Sequence, residues 1–418
     1  MASFASSTLH KIFQIKIQIL WIIVAILSVY FIYHLVLNAV RPSHGFASYY
    51  TASRLLIEGE DVADFYDDDW FASNVEKYVP GVYEIYLVNM PTTALVFLPI
   101  ANFNYSSAKI IWTIFNVLLL TVVFGLIINR LKLEGAWLPL AFILLLAFQP
   151  LYANIVFGQV YILIFFLLVL AWFAYESGNE LMLGISLGLV FILKTAGIFL
   201  LVLLVLKRKW RGVLWFFVVV ILIFAVTLPI LGLDSWSAYL NKLLEYTSSP
   251  TLSVTAYQTV HSFFHHLFVF DYQWNPAPLI SLPIIAKTLT IGFSLLVLVF
   301  TTISAHQCKR LDLAFGTFII VGIILSPPSI DYHYMLMIIP IFILFNWLIK
   351  NPSKILWIFF GISYLLIAAS IPYISPKISG SIWAVFAYPK LYGAVGLLVL
   401  SLHASYSSRS FESRLASY

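Results

Sequence analysis

"LMLGISLGLVFILKTAGIFLLVLLVLKRKWR", residues 181–211, decides how this chain is threaded. Read as one helix, Leu181–Leu206 crosses a bilayer once and leaves the basic cluster Lys207–Arg211 outside. Cytoplasmic loops carry the excess of Lys and Arg, so that reading strands the cluster on the unfavourable side. Read as two segments that turn at Lys194-Thr195, the run brings the cluster back to the side it left. Each arm then has about 12–13 residues, fewer than the ~20 that span a ~30 Å hydrocarbon core. Backbone turns at membrane depth only where protein or a water-filled cavity satisfies it. A lysine at such a turn therefore predicts a polar notch in one half of a membrane bundle.

The composition agrees with a bilayer setting. Of 418 residues, 62% are hydrophobic and 10% charged, against about 25% charged in a soluble domain. The 35 Phe, 24 Tyr and 12 Trp suit side chains facing lipid or sitting at its interface. A net charge of +5 comes from basic residues scattered between apolar runs, which argues against nucleic acid as a partner. The single cysteine, Cys308, excludes an internal disulfide and a Cys-based metal cluster. Lys11 and Lys16 precede an apolar stretch from 17 to 36, longer than the ~7–15 residues of a signal-peptide core, so it reads as a retained helix.

Apolar runs lie near 17–37, 108–128, 137–152, 159–176, 181–193, 195–206, 212–232, 284–304, 313–327, 334–349, 355–372 and 384–403. Twelve crossings place both termini on one side. Alternating from a cytoplasmic N-terminus puts Lys11, Lys16, Arg130, Lys132, Lys207, Arg208, Lys209, Arg211, Lys309, Arg310, Lys350, Lys354, Arg409 and Arg414 inside, in short loops or tails. Most of the carboxylates fall outside. The expectation is an all-α, polytopic bundle forming a single membrane domain, 1–418, with two long outer loops, 38–107 and 233–283. No soluble domain or repeat is evident, so any chemistry belongs outside.

The first of these loops gathers the acids. "HGFASYYTASRLLIEGEDVADFYDDDWF", His44–Phe71, begins with an apolar helical stripe, Phe46, Tyr49, Tyr50 and Ile57, with Arg54 one turn after Tyr50. Gly59 ends that helix. Phe65-Tyr66 and Trp70-Phe71 then bracket Asp67-Asp68-Asp69, holding the loop at headgroup level with its carboxylates hydrated. Three adjacent carboxylates read as a metal site, as a general base with a raised pKa, or as a solvated turn. Further on, Asn89–Phe103, "NMPTTALVFLPIANF", is too short to span and reads as a re-entrant or interfacial helix roofing a cavity. In the second loop His261, His265 and His266 have a spacing that can bind zinc, but no Glu lies among them, and a solvent-facing helix is the plainer reading.

An ordered set of pieces resembles a known family. They are "FASYYTASRLLIEG" (46–59), "FYDDDWF" (65–71), "MPTTALVFLPIA" (90–101) and "NIVFGQVYIL" (154–163). After these come "GISLGLVFILKTAGIFLLVLLVLKRKWRG" (184–212), "AYQTVHSFFHHLF" (256–268) and "LSPPSIDYHYMLMIIP" (325–340). Together they resemble the integral-membrane glycosyltransferases of the C-type fold, most closely the bacterial polyprenyl-phosphate-mannose-dependent α-mannosyltransferases. The resemblance implies a multi-pass protein of the cytoplasmic membrane, with both termini cytoplasmic and the active site on the outer, periplasmic side. It implies transfer of a hexose, mannose-like, from a polyprenyl phosphate sugar donor to a glycan or glycolipid acceptor, with inversion and without a cofactor. Membrane lipid is the other expected partner.

The family pattern has Asp immediately before the Phe of the first-loop helix; here that position is Gly45, preceded by His44. A nearby group then substitutes as base, Asp67, Asp68 or Asp69 before His44, or the protein is inactive. Arg54 and Lys194 are the cations expected to hold the leaving phosphate. Asp331 and His333, two residues apart, are expected to pair, binding the donor phosphate or relaying a proton. Gln159 is expected to bond sugar hydroxyls or merely cap a helix, with Tyr49 and Tyr50 as further substrate contacts. The rival readings are a secondary transporter or flippase, which shares the twelve-span layout, and an inactive scaffold.

Overall fold

In lipid a backbone N–H or C=O finds no solvent partner, so stretches this apolar satisfy themselves as helices. The computed structural model describes residues 2–87, 89–375 and 378–415, with side chains from Ile15 to Ser408 except Lys16. The side chains of Lys11, Lys16, Arg409 and Arg414, used in the topology count, lie outside the described ones. Among the described residues there is no strand, only an isolated bridge between Asp271 and Asn275.

The chain opens with α1 (Ala2–Ala39), then α2 (His44–Glu58), α3 (Asp68–Tyr78) and two single turns, α4 (Thr93–Val96) and α5 (Leu98–Ala101). The bundle proper continues through α6 (Tyr105–Leu131), α7 (Trp137–Leu146), α8 (Gln149–Phe157) and α9 (Tyr161–Ser177). Next come α10 (Glu180–Leu193), α11 (Ile198–Leu206) and α12 (Trp210–Leu231). The second long loop carries α13 (Leu233–Thr247) and α14 (Val260–Phe268). The chain ends with α15 (Pro283–Gln307), α16 (Leu311–Leu325), α17 (Ile338–Lys350), α18 (Lys354–Ala368) and α19 (Pro389–Leu415). A 3-10 segment, Asp331–Met337, leads into α17.

Among the described residues five helices are long and apolar enough to cross a membrane: Ile17–Ala39, α6, α12, α15 and Asp331–Lys350. Two bent pairs raise the number to seven, α7 with α8 at 46° and Ser381–Ala387 with the start of α19 at 52°. The remaining apolar runs of the sequence form shorter helices, of 17, 14, 15 and 15 residues in α9, α10, α16 and α18 and of nine in α11. By length α9 is at the lower limit of a span and the others fall short of one.

The run 181–206 is indeed two arms. α10 stops at Leu193 and α11 starts at Ile198. Their far ends meet: Glu180, at the start of α10, accepts from the Gly212 N–H at 3.0 Å and pairs with Lys209 at 3.7 Å, just after α11. α10 packs on α12 through glycines, since a Cβ at Gly184 would stand 2.5 Å from the Gly212 carbonyl oxygen. The same end of the bundle gathers the Arg130–Glu176 pair at 2.7 Å and the bond from Lys207 Nζ to the Cys308 carbonyl at 2.7 Å. The short basic loops thus share one end. Lys194, Leu325 and the long loops lie at the other ends of those helices.

The first loop folds on its own aromatic core. In α2, Phe46, Tyr49 and Tyr50 are buried, but Ile57 is 43% exposed because the helix has by then left the bundle. Gly59, at φ 86°, ends α2 with its N–H and that of Glu60 returned to Leu56 and Leu55. Phe65, Tyr66 and Phe71 are buried around Tyr86. They bind the loop to itself, where the sequence suggested anchors in the headgroup layer.

Candidate functional site

The site begins with the break at Lys194. Ending α10 frees the carbonyls of its last turn. Two are taken by the first loop, where Thr92 Oγ1 donates to the Ile192 carbonyl at 2.9 Å and Thr93 Oγ1 to Leu193 at 3.5 Å. The segment expected to roof a cavity therefore seats on the turn, as the two single-turn helices α4 and α5. Lys194 itself is extended, φ −157° and ψ 142°. Its ammonium donates to the side-chain oxygen of Asn89 and lies 5.6 Å over the Tyr49 ring.

Below this turn is a cavity of about 410 Å³. Lys194, Tyr161, Tyr239, Tyr246, Tyr257, Tyr332 and His333 line its polar part. Leu168, Ile198, Phe199, Phe318, Ile319 and Ile323, from α9, α11 and α16, line an apolar arm. Leu87 and Met90 close it from the first loop. Lys194 and His333, 139 residues apart in sequence, face one hollow.

The His333 ring stacks on Tyr332 and meets Tyr161 at a tilt, with centroids 4.6 Å and 4.5 Å away. The Ile330 N–H donates to its Nδ1 at 3.2 Å. That nitrogen therefore keeps its lone pair, the neutral ring carries its proton on Nε2, and Nε2 is the donor left for an occupant. Asn154 Nδ2 fixes this segment by donating to the Tyr332 carbonyl at 2.9 Å.

Asp331 does not pair with His333. It accepts from Tyr373 Oη and, at 3.3 Å, from Gln149 Nε2, and its partner in charge is Lys390 at 3.4 Å. On a 3-10 turn of about three residues, positions two apart point to different sides, so Asp331 and His333 diverge.

The aspartate triplet also lies away from the cavity lining. Asp67 is the N-cap of α3, accepting from Asp69 and Trp70 N–H at 3.1 and 3.0 Å, a role worth ~1 kcal/mol. Asp68 pairs with Lys242 of α13 at 2.7 Å, and Asp69 is exposed in the first turn of α3, where a carboxylate suits the helix dipole. Arg54 donates to the Ala101 carbonyl at 3.3 Å, pairs with Glu58 at 3.3 Å and leans on Tyr78, so it braces the loop. Tyr50 Oη donates to the Phe103 carbonyl at 2.8 Å, another brace. In the second loop His266 is buried between the Ser253 and Ser379 carbonyls, and His261 and His265 stack on each other at 3.8 Å. This helix packs rather than facing solvent throughout. Among the described residues no group of three or more His, Cys, Asp or Glu is placed to hold a metal.

Gly45 and Gln159 explain each other. A Cβ at position 45 would stand 2.1 Å from Gln159 Nε2 and 2.8 Å from the Phe157 carbonyl oxygen. The space an aspartate would use there is filled by Gln159, which also accepts from Tyr49 Oη at 2.5 Å. Tyr49 stacks in parallel on Phe97 at 5.0 Å. Gln159 thus holds the tyrosine under Lys194.

One carboxylate was missed by the sequence reading. Glu84 stands on an irregular strap, Val82–Tyr86, laid across the start of α2. Ser48 Oγ donates to the Ile85 carbonyl at 3.2 Å, and His44 Nδ1 meets the Tyr83 carbonyl at 3.1 Å. His44 is itself exposed, 3.8 Å from Glu84 Oε2. Burial raises the Glu84 carboxyl above the usual range, partly offset by the Ile85 N–H, His44 and Lys194. Its charge also acts on Tyr49 and on Tyr332. The signal was weak: a lone Glu between tyrosines, outside any periodic stretch.

The model of Glycosyltransferase family 87 matches residues 87–327, more than half of the chain. The chain belongs to that family. The part of this family 87 glycosyltransferase that matches carries Asn89, Gln159, the Lys194 turn and the second loop; Glu84 and His333 flank it on either side. No curated protein matches the chain, and no solved structure does.

Proposed function

We propose that this family 87 glycosyltransferase moves a hexose, mannose-like, from a polyprenyl phosphate to a hydroxyl of a lipid-linked or periplasmic glycan, with inversion. The observation that carries the reading is that Lys194 and His333 line one cavity together with apolar side chains from α9, α11 and α16. A lipid phosphate has this same division. Its anion needs fixed cations and N–H donors in a dry site, and its tail needs an apolar channel between helices.

Tyrosines 239, 246 and 257 give flat faces for a sugar ring on the side of the long loops. The apolar runs are read as twelve crossings, short ones included, in the cytoplasmic membrane. The basic loops then face the cytoplasm with both termini, and the cavity opens on the other side. This agrees with the positive-inside rule.

The test is turnover by the purified protein in nanodiscs with polyprenyl-phospho-mannose and a membrane glycolipid extract. The expected result is hexose-bearing glycolipid with release of free polyprenyl phosphate. Transfer from a nucleotide sugar and none from any polyprenyl-phospho-sugar would overturn the reading.

A further inference from the structure

We infer that Glu84 is the general base that takes the proton from the acceptor hydroxyl, an inference that rests on the transfer reading above. A base is required wherever a sugar hydroxyl attacks an anomeric carbon with inversion, on the face opposite the leaving group. The cavity lining itself contains no Asp or Glu among the described residues. Position 45 is closed by Gln159 and by the Phe157 carbonyl oxygen. Asp67 and Asp68 are engaged in a helix cap and an ion pair, and Asp69 is exposed. Asp331 faces Lys390.

Glu84 is the carboxylate whose charge acts on Lys194. It also acts on Tyr49 beneath that lysine and on Tyr332 in the facing wall. Leu87, three residues after Glu84, and Met90 line the cavity, which brings the strap to its edge. The strap that carries it is fixed at both ends. Ser48 holds Ile85, and Asn89, four residues after it, receives Lys194. One oxygen, Oε1, accepts from the Ile85 N–H at 3.1 Å, and Oε2 is left with His44 3.8 Å away, too far for a hydrogen bond. Oε2 is thus free for an acceptor hydroxyl.

In the step itself the acceptor oxygen forms a bond to the anomeric carbon while its proton passes to Glu84. The bond from that carbon to the phosphate oxygen breaks, and its electron pair leaves with polyprenyl phosphate, whose added charge Lys194 meets. Burial keeps the Glu84 carboxyl more basic than a surface one, which improves proton acceptance near neutral pH. The groups facing it are His44 and Tyr49 from α2, Lys194 from the turn and Tyr332 from the 3-10 segment. Only the deprotonated form works, so turnover falls on acidification through a pKa above the ordinary carboxylate range.

The test compares wild type, Glu84→Gln and the triple variant Asp67→Asn, Asp68→Asn, Asp69→Asn in nanodiscs, reading turnover of polyprenyl-phospho-mannose and binding of polyprenyl phosphate. Glu84→Gln is expected to lose about 10²–10⁴-fold in kcat, to bind polyprenyl phosphate as wild type does, and to lose the acid limb. The triple variant is expected to keep its turnover. If wild type turns over and Glu84→Gln stays within tenfold of it, or if the triple variant is the one that binds but does not react, Glu84 is not the base and the transfer reading stands. If wild type itself uses no polyprenyl-phospho-sugar, the transfer reading falls and the inference with it. Should Glu84→Gln also lose binding, Glu84→Asp decides: reduced turnover with a displaced acid limb supports the assignment, and wild-type turnover with an undisplaced limb overturns it.

Discussion

Lys194→Met is expected to lower turnover about 10²–10³-fold, the cost of removing one preorganised donor from a developing oxyanion, while leaving membrane insertion intact. The size follows from where the charge sits. Lys194 lies on an extended residue between two short helices, half-buried, with its ammonium on Asn89 and over Tyr49. Methionine keeps the length and apolar bulk of the stem but offers neither charge nor donor. Folding has little reason to fail, because the break in α10 is capped by Thr92 and Thr93 rather than by the lysine, and Asn89 keeps its bond to the Tyr86 carbonyl. The loss is expected in kcat and in polyprenyl phosphate affinity together, since the charge is met before and after the bond breaks. Steady-state kinetics and lipid-phosphate binding in the same nanodiscs check it. Unchanged kinetics would remove the turn from the site.

Gly45→Asp is expected to damage the protein. The new Cβ would meet Gln159 Nε2 at 2.1 Å and the Phe157 carbonyl oxygen at 2.8 Å. Gln159 can swing away; a backbone carbonyl at the end of α8 cannot, because the next carbonyl, Gly158, accepts from Trp112 Nε1 at 3.0 Å. Overpacking of this kind costs about 1–3 kcal/mol, and a carboxylate placed against a carbonyl adds to it. The expected result is a lower melting temperature in detergent, with turnover reduced as Tyr49 loses its partner Gln159. Pairing it with Gln159→Ala relieves the first contact and not the second, so only part of the stability should return. A Gly45→Asp protein as stable and active as wild type would contradict this packing.

The threading was legible because charge and length spoke together. Lys207–Arg211 had to return to the side of Lys11 and Lys16, and Leu181–Leu206 contained the one lysine at which it could turn. The turn is where that reasoning put it, and Gly59 ends its helix as a residue free to adopt positive φ does. The contacts of the carboxylates were not legible. Asp67–Asp69 attracted attention through density of charge, yet an Asp ahead of a helical run is equally a cap, and the fold uses Asp67 so. Glu84 sits on a strap whose path depends on Ser48 and His44, some forty residues earlier, and no local period marks it. The Asp331–His333 spacing suggested a pair because a sequence does not announce a 3-10 turn. Lys390, which takes Asp331, lies in another helix.

The central claim is that Lys194 and His333 receive one lipid phosphate. A cryo-EM map of the protein in nanodiscs with a non-transferable polyprenyl phosphate sugar analogue tests it most directly. The expected density has its phosphate between Lys194 Nζ and His333 Nε2, its tail between α11 and α16, and its sugar toward Glu84. Phosphate density at the basic end, near Lys207 and Arg310, with the cavity unfilled, would contradict it.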